Sequence, residues 1–332
     1  MSNNIHNSFS AHPSAKAQER TWSGQELCNT PLKKLNTWHI GGLAERLYYP
    51  ISLLDLSLYL KSLENQFKIT WLGLGSNVLI SDEGLEGVVI ITRHLDRLEL
   101  VAPNCIYAQA GVTCAKLARF CALHNLQGGE FFAGIPGTVG GALAMNAGAF
   151  GGETWEHVSQ VETINTQGEI SLRSAAEFDV SYRTVVSKQG IQAEQATEGF
   201  VSGTFKFISN KDTKDLEQSA KIKIKNLLQQ RNAKQPIGTL NCGSVFRNPP
   251  DDHAARLIEA CDLKGLQLGG AIISRKHANF IINENNACSA DIEKIIQVVQ
   301  TTVFDRFSIW LKPEVKMLGK RTVELLGAHK DE

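Results

Sequence analysis

Apolar residues along this chain recur at two periods, and the chain changes character where one gives way to the other. Before residue 212 the runs are short and mostly strand-like. Residues 69–72, 78–81 and 88–92 are compact apolar runs that predict buried strands, and residues 98–101 and 105–110 flank Pro103-Asn104 as a hairpin. Residues 158–173 and 201–208 alternate in the same manner, while residues 36–50 form a strand-like run interrupted by a glycine pair. Two helices break this pattern. One covers residues 52–67 with Leu54, Leu58 and Leu63; the other covers 113–125 with Leu117, Phe120, Cys121 and His124, and Thr113 is placed to cap it. From residue 212 the period lengthens. TKDLEQSAKIKIKNLLQQRNAKQ predicts a charged helix ended by Pro236, residues 251–261 a helix with Asp251 or Asp252 at its start, and residues 272–283 a strand. Residues 291–310 carry Ile292, Ile295, Ile296, Val299 and Val303 on one helical face, and PEVKMLG (313–319) closes as a strand. The elements predict an α+β protein with a boundary near residues 212–225 and a return of the chain near 308–312.

Neither period holds over residues 128–152, GGEFFAGIPGTVGGALAMNAGAFGG, which contain nine of the 28 glycines. A flexible linker mixes glycine with serine and charge. This segment mixes it with Phe131, Phe132, Ile135, Val139, Leu143 and Met145, which predicts a buried, ordered turn system. Glycine serves where the backbone takes positive φ or where another group must approach it closely. A run of such positions presents N–H groups suited to a phosphate or diphosphate. A tight structural corner in a β-rich domain would use the same residues.

Composition narrows the partner. Lys and Arg (34) balance Asp and Glu (34), so no global field favours nucleic acid or an anionic membrane. A 332-residue chain with 42% hydrophobic and 20% charged residues fits a globular protein of two or three domains. No window reaches the apolar length of a bilayer span, and MSNNIHNSFSAHPSAKAQER lacks a signal-peptide core, so residues 1–25 read as a disordered tail. Seven scattered cysteines form no CxxC pair and no metal-ligand spacing, which points to reduced thiols in the cytoplasm and to no metal site.

Two phosphate-binding fingerprints are excluded. GxGxxG would need glycine where Val78 follows Gly73 and Gly75, and a Walker A loop would need Ser or Thr where Arg321 follows Gly319-Lys320. What remains is a pair of loops: GLGSN (73–77) between two strands, and GIPGTVGGALAMNAG (134–148) about 60 residues later. Each carries a small hydroxyl (Ser76, Thr138) and a side-chain amide (Asn77, Asn146), so together they could clasp one extended dinucleotide.

In that arrangement the chain resembles the FAD-binding domain of vanillyl-alcohol-oxidase-type flavoproteins. Within that fold it is similar to the UDP-N-acetylenolpyruvoylglucosamine reductase family of bacterial peptidoglycan-precursor enzymes. Four further segments carry the resemblance: NTWHIGG (36–42), SYR (181–183), NCGSVFRNP (241–249) and PEVKMLG (313–319). The resemblance implies a first FAD-binding subdomain over 26–92, completed by 308–327, and a second over 93–222. A C-terminal α+β substrate-binding domain over 223–307 would close the cleft. It implies FAD held noncovalently and NADPH as hydride donor. NADPH reduces the flavin, and the reduced flavin then reduces the enolpyruvyl double bond of UDP-N-acetylglucosamine-enolpyruvate to give UDP-N-acetylmuramate. Addition at the alkene leaves an enolate that must be protonated, which calls for an acid and for cationic or hydrogen-bonding groups around it.

The resemblance also implies roles. For the cofactor they fall on Gly73, Gly75, Ser76, Asn77, Pro136, Gly137, Thr138, Gly140, Gly141, Ala142, Asn146 and Gly148. Ser244 matches the family's proton donor, although most Gly-Ser pairs are simply turns. Arg183 matches an arginine that contacts the substrate carboxylate, which a guanidinium can bind through two bonds. Glu314 matches a catalytic glutamate expected to be protonated or strongly hydrogen-bonded, meeting Ser244 and Arg183 over the flavin. Lys234, Asn248, Arg231 and His277 fall at substrate-contacting positions, although a histidine between apolar neighbours, as His277 is, is more often a satisfied core residue than a ligand. Arg247 replaces the lysine usual in its motif. No tyrosine follows Tyr182, which implies the subgroup without a tyrosine-bearing lid. No nucleic acid, membrane or obligate protein partner is implied. Another FAD-dependent oxidase or dehydrogenase on the same fold, or a non-catalytic flavin-binding protein, are the alternatives.

Overall fold

The computed structural model describes residues 21–63, 67–188, 198–209 and 216–321. The first unit is a four-stranded sheet in the order β1 (Gln25–Pro31), β2 (Leu43–Tyr49), β5 (Leu85–Ile91), β3 (Ile69–Leu72). β1 and β2 are antiparallel, whereas β2 and β3 both run parallel to β5. The second half of β5, Val88 to Ile91, is an unbroken apolar run because it is central, and all four residues are fully buried. α1 (Leu53–Lys61) begins where the Ser52 hydroxyl accepts from the Asp55 N–H. β4 (Val78–Ile80) lies outside this sheet and pairs in parallel with Lys316–Leu318, so the end of the chain returns to the first unit.

Of the tail expected over 1–25, residues 21–25 are ordered. Residues 1–20 lie outside the described residues, as do 322–327 of the expected returning segment. Residues 21–25 are held in place. The Trp22 ring meets Tyr48 and Tyr59 edge-on, and the N–H groups of Ser23 and Gly24 donate to the buried Asp55 carboxylate.

The second unit is a five-stranded antiparallel sheet: Ile170–Ser174, Val158–Asn165, Glu198–Lys206, then β7 (Cys105–Gln109) and β6 (Leu98–Ala102). The run expected over 158–173 is thus a hairpin, turning where Asn165 accepts the N–H groups of Gln167 and Glu169 on its side chain. α2 (Cys114–Leu123) is capped by Thr113, whose hydroxyl accepts from Lys116. The glycine-rich segment lies across the sheet as a 3-10 turn (Glu130–Gly134) followed by α3 (Val139–Met145). Phe132, Val139 and Leu143 are buried in the same core as Ile106, Leu117 and Phe205. α4 (Leu216–Lys234) places Ile224 and Leu228, four residues apart, on this core and so packs against the second unit.

The third unit contains α5 (Ala254–Ala260), a three-stranded sheet and α6 (Ser289–Phe307). α5 starts three residues later than the expected 251, because Asp251 takes a left-handed φ of 58° and helix geometry begins only after His253. The strand expected over 272–283 is two strands, Ala271–Ile273 and Ile281–Asn283. Between them the Ser274 hydroxyl accepts the N–H groups of Lys276 and His277 and forces a turn. All five predicted apolar residues of α6 are buried, in a core that also contains Trp38, Ile40 and Leu79 of the first unit. The Trp38 indole donates to the Ile281 carbonyl, and the Asn283 side chain donates to the Trp38 carbonyl. The third unit therefore shares one interior with the first.

Candidate active site

The two glycine loops meet. A Cβ added at Gly73 would sit 2.5 Å from the Thr138 hydroxyl, and one added at Gly137 would sit 3.4 Å from the Ser76 hydroxyl. Gly73–Asn77 leaves β3 in one sheet and enters β4 in another, which requires the sharp bend at Gly75 (φ 63°). A Cβ there would overlap the Leu35 carbonyl, so the loop lies directly on the backbone of the NTWHIGG segment. That segment is a turn, where a strand-like run was expected. The buried Asn36 side chain donates to the carbonyls of Leu32 and Ile40 at 2.9 and 2.7 Å, and the Thr37 N–H donates to Gly75 O at 3.1 Å. His39 is exposed there with φ 54°.

The fit to a dinucleotide rests on which donors are left. None of the five N–H groups of Gly73–Asn77 donates to an acceptor among the described residues, although the carbonyls of Gly75 and Asn77 both accept. In the second loop the N–H groups of Val139 and Gly140 are engaged by Val112 and Ala110, whereas those of Gly137 and Thr138 are not. A Cβ at Gly141 would come no closer than 3.9 Å to any protein atom, so this surface is open. A ribbon of unpaired backbone donors without side chains in front of it suits a diphosphate, and these residues fit FAD. Ala142 is buried in the core and Thr138 is almost fully buried. The Asn146 side chain is fully engaged, donating to Glu153 at 2.7 Å and to Ser181 O, and accepting from the Trp155 N–H at 3.1 Å. These three residues shape the loop from behind.

Beside the clasp stand two charged side chains. Arg183 Nε lies 2.7 Å from Glu314 Oε1, both side chains being largely buried. The Nε is enclosed by protein, so this contact is an internal ion pair. One jaw of the clasp holds each member. Arg183 donates to the carbonyls of Asn146 and Gly148 at 3.4 and 3.5 Å, in the second loop. Asn77 of the first loop donates to the Glu314 carbonyl, and its own carbonyl accepts from Lys316. Burial pushes the Glu314 carboxyl above its usual range, and the guanidinium groups of Arg183 and Arg247 pull it partly back.

Ser244 is brought to the same place by strand-like pairing. Glu314 N donates to Val245 O at 2.7 Å, and Phe246 bridges Pro313. The Ser244 hydroxyl is half-buried and has no hydrogen-bond partner among the described residues. Asn279, which sequence reasoning missed, braces this stretch. Its side chain accepts from Phe246 N at 2.9 Å and donates to Phe246 O at 2.8 Å, while its carbonyl accepts from Val245 N. Tyr182 was also missed; its ring lies against the Arg183 guanidinium, 5.3 Å from ring centre to Cζ.

The four expected substrate contacts lie on separate elements, Arg231 and Lys234 sharing α4. Lys234 is exposed at the end of α4 with no partner among the described residues, and Arg231 donates to Gln235 at 2.9 Å. Burial lowers the affinity of Arg231 for its proton. The Lys276 ammonium reaches the Asn232 carbonyl at 2.5 Å and ties this helix end to the turn bearing His277. His277 accepts from the Asn279 N–H on Nδ1, and burial holds its pKa below the ordinary value. The Asn248 side-chain oxygen Oδ1 accepts from Ala254 N, the first residue of α5, at 3.1 Å. Between Asn248 and Gly270 the chain is α5, tight turns and the short strand Gln267–Leu268, with no extended flap.

Comparisons with known proteins agree with this layout. Residues 46–174 match the FAD binding domain family, and residues 235–318 match the family described as UDP-N-acetylenolpyruvoylglucosamine reductase, C-terminal domain. The chain is 50% identical over 304 residues to a UDP-N-acetylenolpyruvoylglucosamine reductase of Legionella pneumophila (strain Corby), covering 91% of this chain and 94% of that one. It is 48% identical over 317 residues to the protein of the same name from Coxiella burnetii (strain Dugway 5J108-111), covering 90% and 96%. A solved UDP-N-acetylenolpyruvylglucosamine reductase from Thermus caldophilus superposes with a TM-score of 0.73 at 26% identity, covering 90% of this chain and 99% of that one.

Proposed function

This chain belongs to the UDP-N-acetylenolpyruvoylglucosamine reductase family, and we propose that Arg183, Ser244 and Glu314 carry the second half of its reaction. The protein is an FAD-containing, NADPH-dependent oxidoreductase of peptidoglycan precursor synthesis, reducing UDP-N-acetylglucosamine-enolpyruvate to UDP-N-acetylmuramate. FAD, when bound, supplies the redox chemistry that links NADPH to the enolpyruvyl double bond. Gly73, Gly75, Ser76, Asn77, Gly137 and Thr138 would hold it through unpaired backbone donors and Gly141 through its open surface, with Pro136, Gly140, Ala142, Asn146 and Gly148 shaping the second loop.

The observation that carries the reading is the Arg183–Glu314 pair, anchored at one end by each loop of the clasp. The Arg183 guanidinium binds the substrate carboxylate and stabilises the negative charge that develops there. Glu314, its proton affinity raised by burial, shares a proton with that carboxylate instead of repelling it. Ser244 delivers a proton to the carbon beside the carboxylate. A hydroxyl is a weak acid, so this step depends on alignment, which the pairing with residues 313–315 and the brace of Asn279 provide. Lys234 and Arg231 offer positive charge to the UDP diphosphate, with Asn248 and His277 as further substrate contacts. The reaction runs in the cytoplasm, where NADPH and UDP-sugars reside; no helix among the described residues is long and apolar enough to cross a membrane.

The test is anaerobic. Enzyme reduced with NADPH and mixed with UDP-N-acetylglucosamine-enolpyruvate should regain its oxidised flavin absorbance as the product forms. Flavin that stays reduced in the presence of substrate would remove this function.

A further inference from the structure

Arg183 sits where its own residue type is unfavourable. Strands Phe178–Ser181 and Thr184–Ser187 form a hairpin with Ser181 paired to Thr184, which leaves Tyr182 and Arg183 as a two-residue turn. Arg183 takes a φ of 56°, the left-handed conformation that turns normally assign to Gly or Asn. Something outside the turn must hold it in that conformation.

We propose that Arg247 is the positioning residue that fixes Arg183. From the Ser244 stretch of the third unit, its guanidinium spans the hairpin tip, donating from Nη2 to the Arg183 carbonyl at 3.3 Å and from Nη1 to the Thr184 hydroxyl at 3.5 Å. The Thr184 hydroxyl in turn donates to the Tyr182 carbonyl at 3.3 Å, so the three residues of the tip are closed on one fork. The Arg247 N–H donates to Lys312 O at 2.9 Å, which seats the fork beside Glu314. Ser244 and Arg247 lie three residues apart, so the same stretch that presents the hydroxyl fixes the turn that presents the guanidinium. A planar group with two separated donors can do this; a lysine ammonium, a compact point charge, cannot span both acceptors in the same way. Arg247 itself need not touch substrate.

This inference rests on the proposed role of Arg183, and its test separates the two. Both half-reactions are followed by stopped flow in FAD-loaded enzyme: flavin reduction by NADPH, then reoxidation by the enolpyruvyl substrate. Substrate affinity of the oxidised enzyme is measured by calorimetry. Arg247→Lys keeps the charge and loses the fork. It should slow reoxidation at saturating substrate about tenfold, the scale of one charge-assisted hydrogen bond, with flavin reduction unchanged. Arg247→Met should slow reoxidation further. Thr184→Val should slow it less, and the Arg247→Lys, Thr184→Val double variant should be no slower than Arg247→Lys alone, because one fork serves both acceptors. Wild-type reoxidation in both Arg247 variants, with Arg183→Met strongly impaired, would overturn the positioning role and leave Arg183 in place. Equal slowing of both half-reactions in Arg247→Lys would overturn it too, as a general structural effect. Intact reoxidation in Arg183→Met would overturn the reading of Arg183 and this inference together.

Discussion

At Gly73–Asn77 the backbone presents five N–H groups that no acceptor among the described residues takes, and the residues there matter chiefly for the side chains they lack. At Arg183, Ser244 and Glu314 the balance is reversed. The carbonyls of Arg183, Val245 and Glu314 all have partners, and what is left to act is side-chain chemistry, the Arg183–Glu314 pair and the Ser244 hydroxyl. The first region is a surface for a ligand with many oxygens and needs shape. The second is a set of three groups drawn from separate elements and needs alignment. The contacts from Asn77 to Glu314 and from Arg183 to Asn146 and Gly148 tie the two together, so the loops that bind the cofactor also place the groups that act beside it.

That contrast can be broken by single substitutions. The largest effect is expected at Gly75, where alanine would meet the Leu35 carbonyl and also force a left-handed residue, costing about 1–3 kcal/mol from the backbone conformation alone. Gly75→Ala should lower the thermal midpoint in denaturation scans and purify with little flavin; a normally stable, fully loaded protein would show that the loop is not built as described. Gly141→Ala sharpens the same point with a smaller effect. A Cβ there meets no protein atom within 3.9 Å, so stability of the FAD-free protein should stay within about 0.5 kcal/mol of wild type. FAD affinity measured by fluorescence titration should nevertheless fall. Unchanged FAD affinity would mean that this open surface does not face the cofactor.

The smallest expected effect concerns Glu314 and pH. Its folded pKa is raised by burial, so between the ordinary carboxylate range and that raised value the folded state binds more protons than the unfolded one. This group therefore stabilises the fold fully only below the ordinary range and loses that contribution as pH rises through its folded pKa, by at most about 1.4 kcal/mol per pH unit. Glu314→Gln should flatten this part of the stability–pH curve in urea titrations. A curve of unchanged slope would indicate that the carboxyl is not desolvated as its surroundings suggest.

The two regions were not equally legible in the sequence. A loop that needs bare backbone appears in the chain as glycine, so GLGSN and the 128–152 segment could be picked out directly, and their pairing followed from elimination of other fingerprints. Arg183 and Glu314 belong to distant segments and only the fold brings them together; their roles came from resemblance. Asn279 left no signal, because a side chain that imitates a neighbouring strand has no period or spacing. Asn36 works in the same way beneath Gly75 and turns an apparently strand-like run into a bend. Helix faces such as that of α6 were plain, since five apolar residues must share one side of a helix to be buried. The join between the first and third units was not, because Trp38 and Ile40 carry no mark of which core will receive them.

The division of labour between the two regions is tested most directly by Ser244→Ala in FAD-loaded enzyme, with both half-reactions measured anaerobically on one sample. The account predicts flavin reduction by NADPH at the wild-type rate, and reoxidation by the enolpyruvyl substrate slowed about 10²–10⁴-fold, the range of a lost general acid. Wild-type reoxidation would contradict the role of Ser244. Comparable losses in both steps would contradict the separation between a clasp that holds the cofactor and a cluster that completes the chemistry.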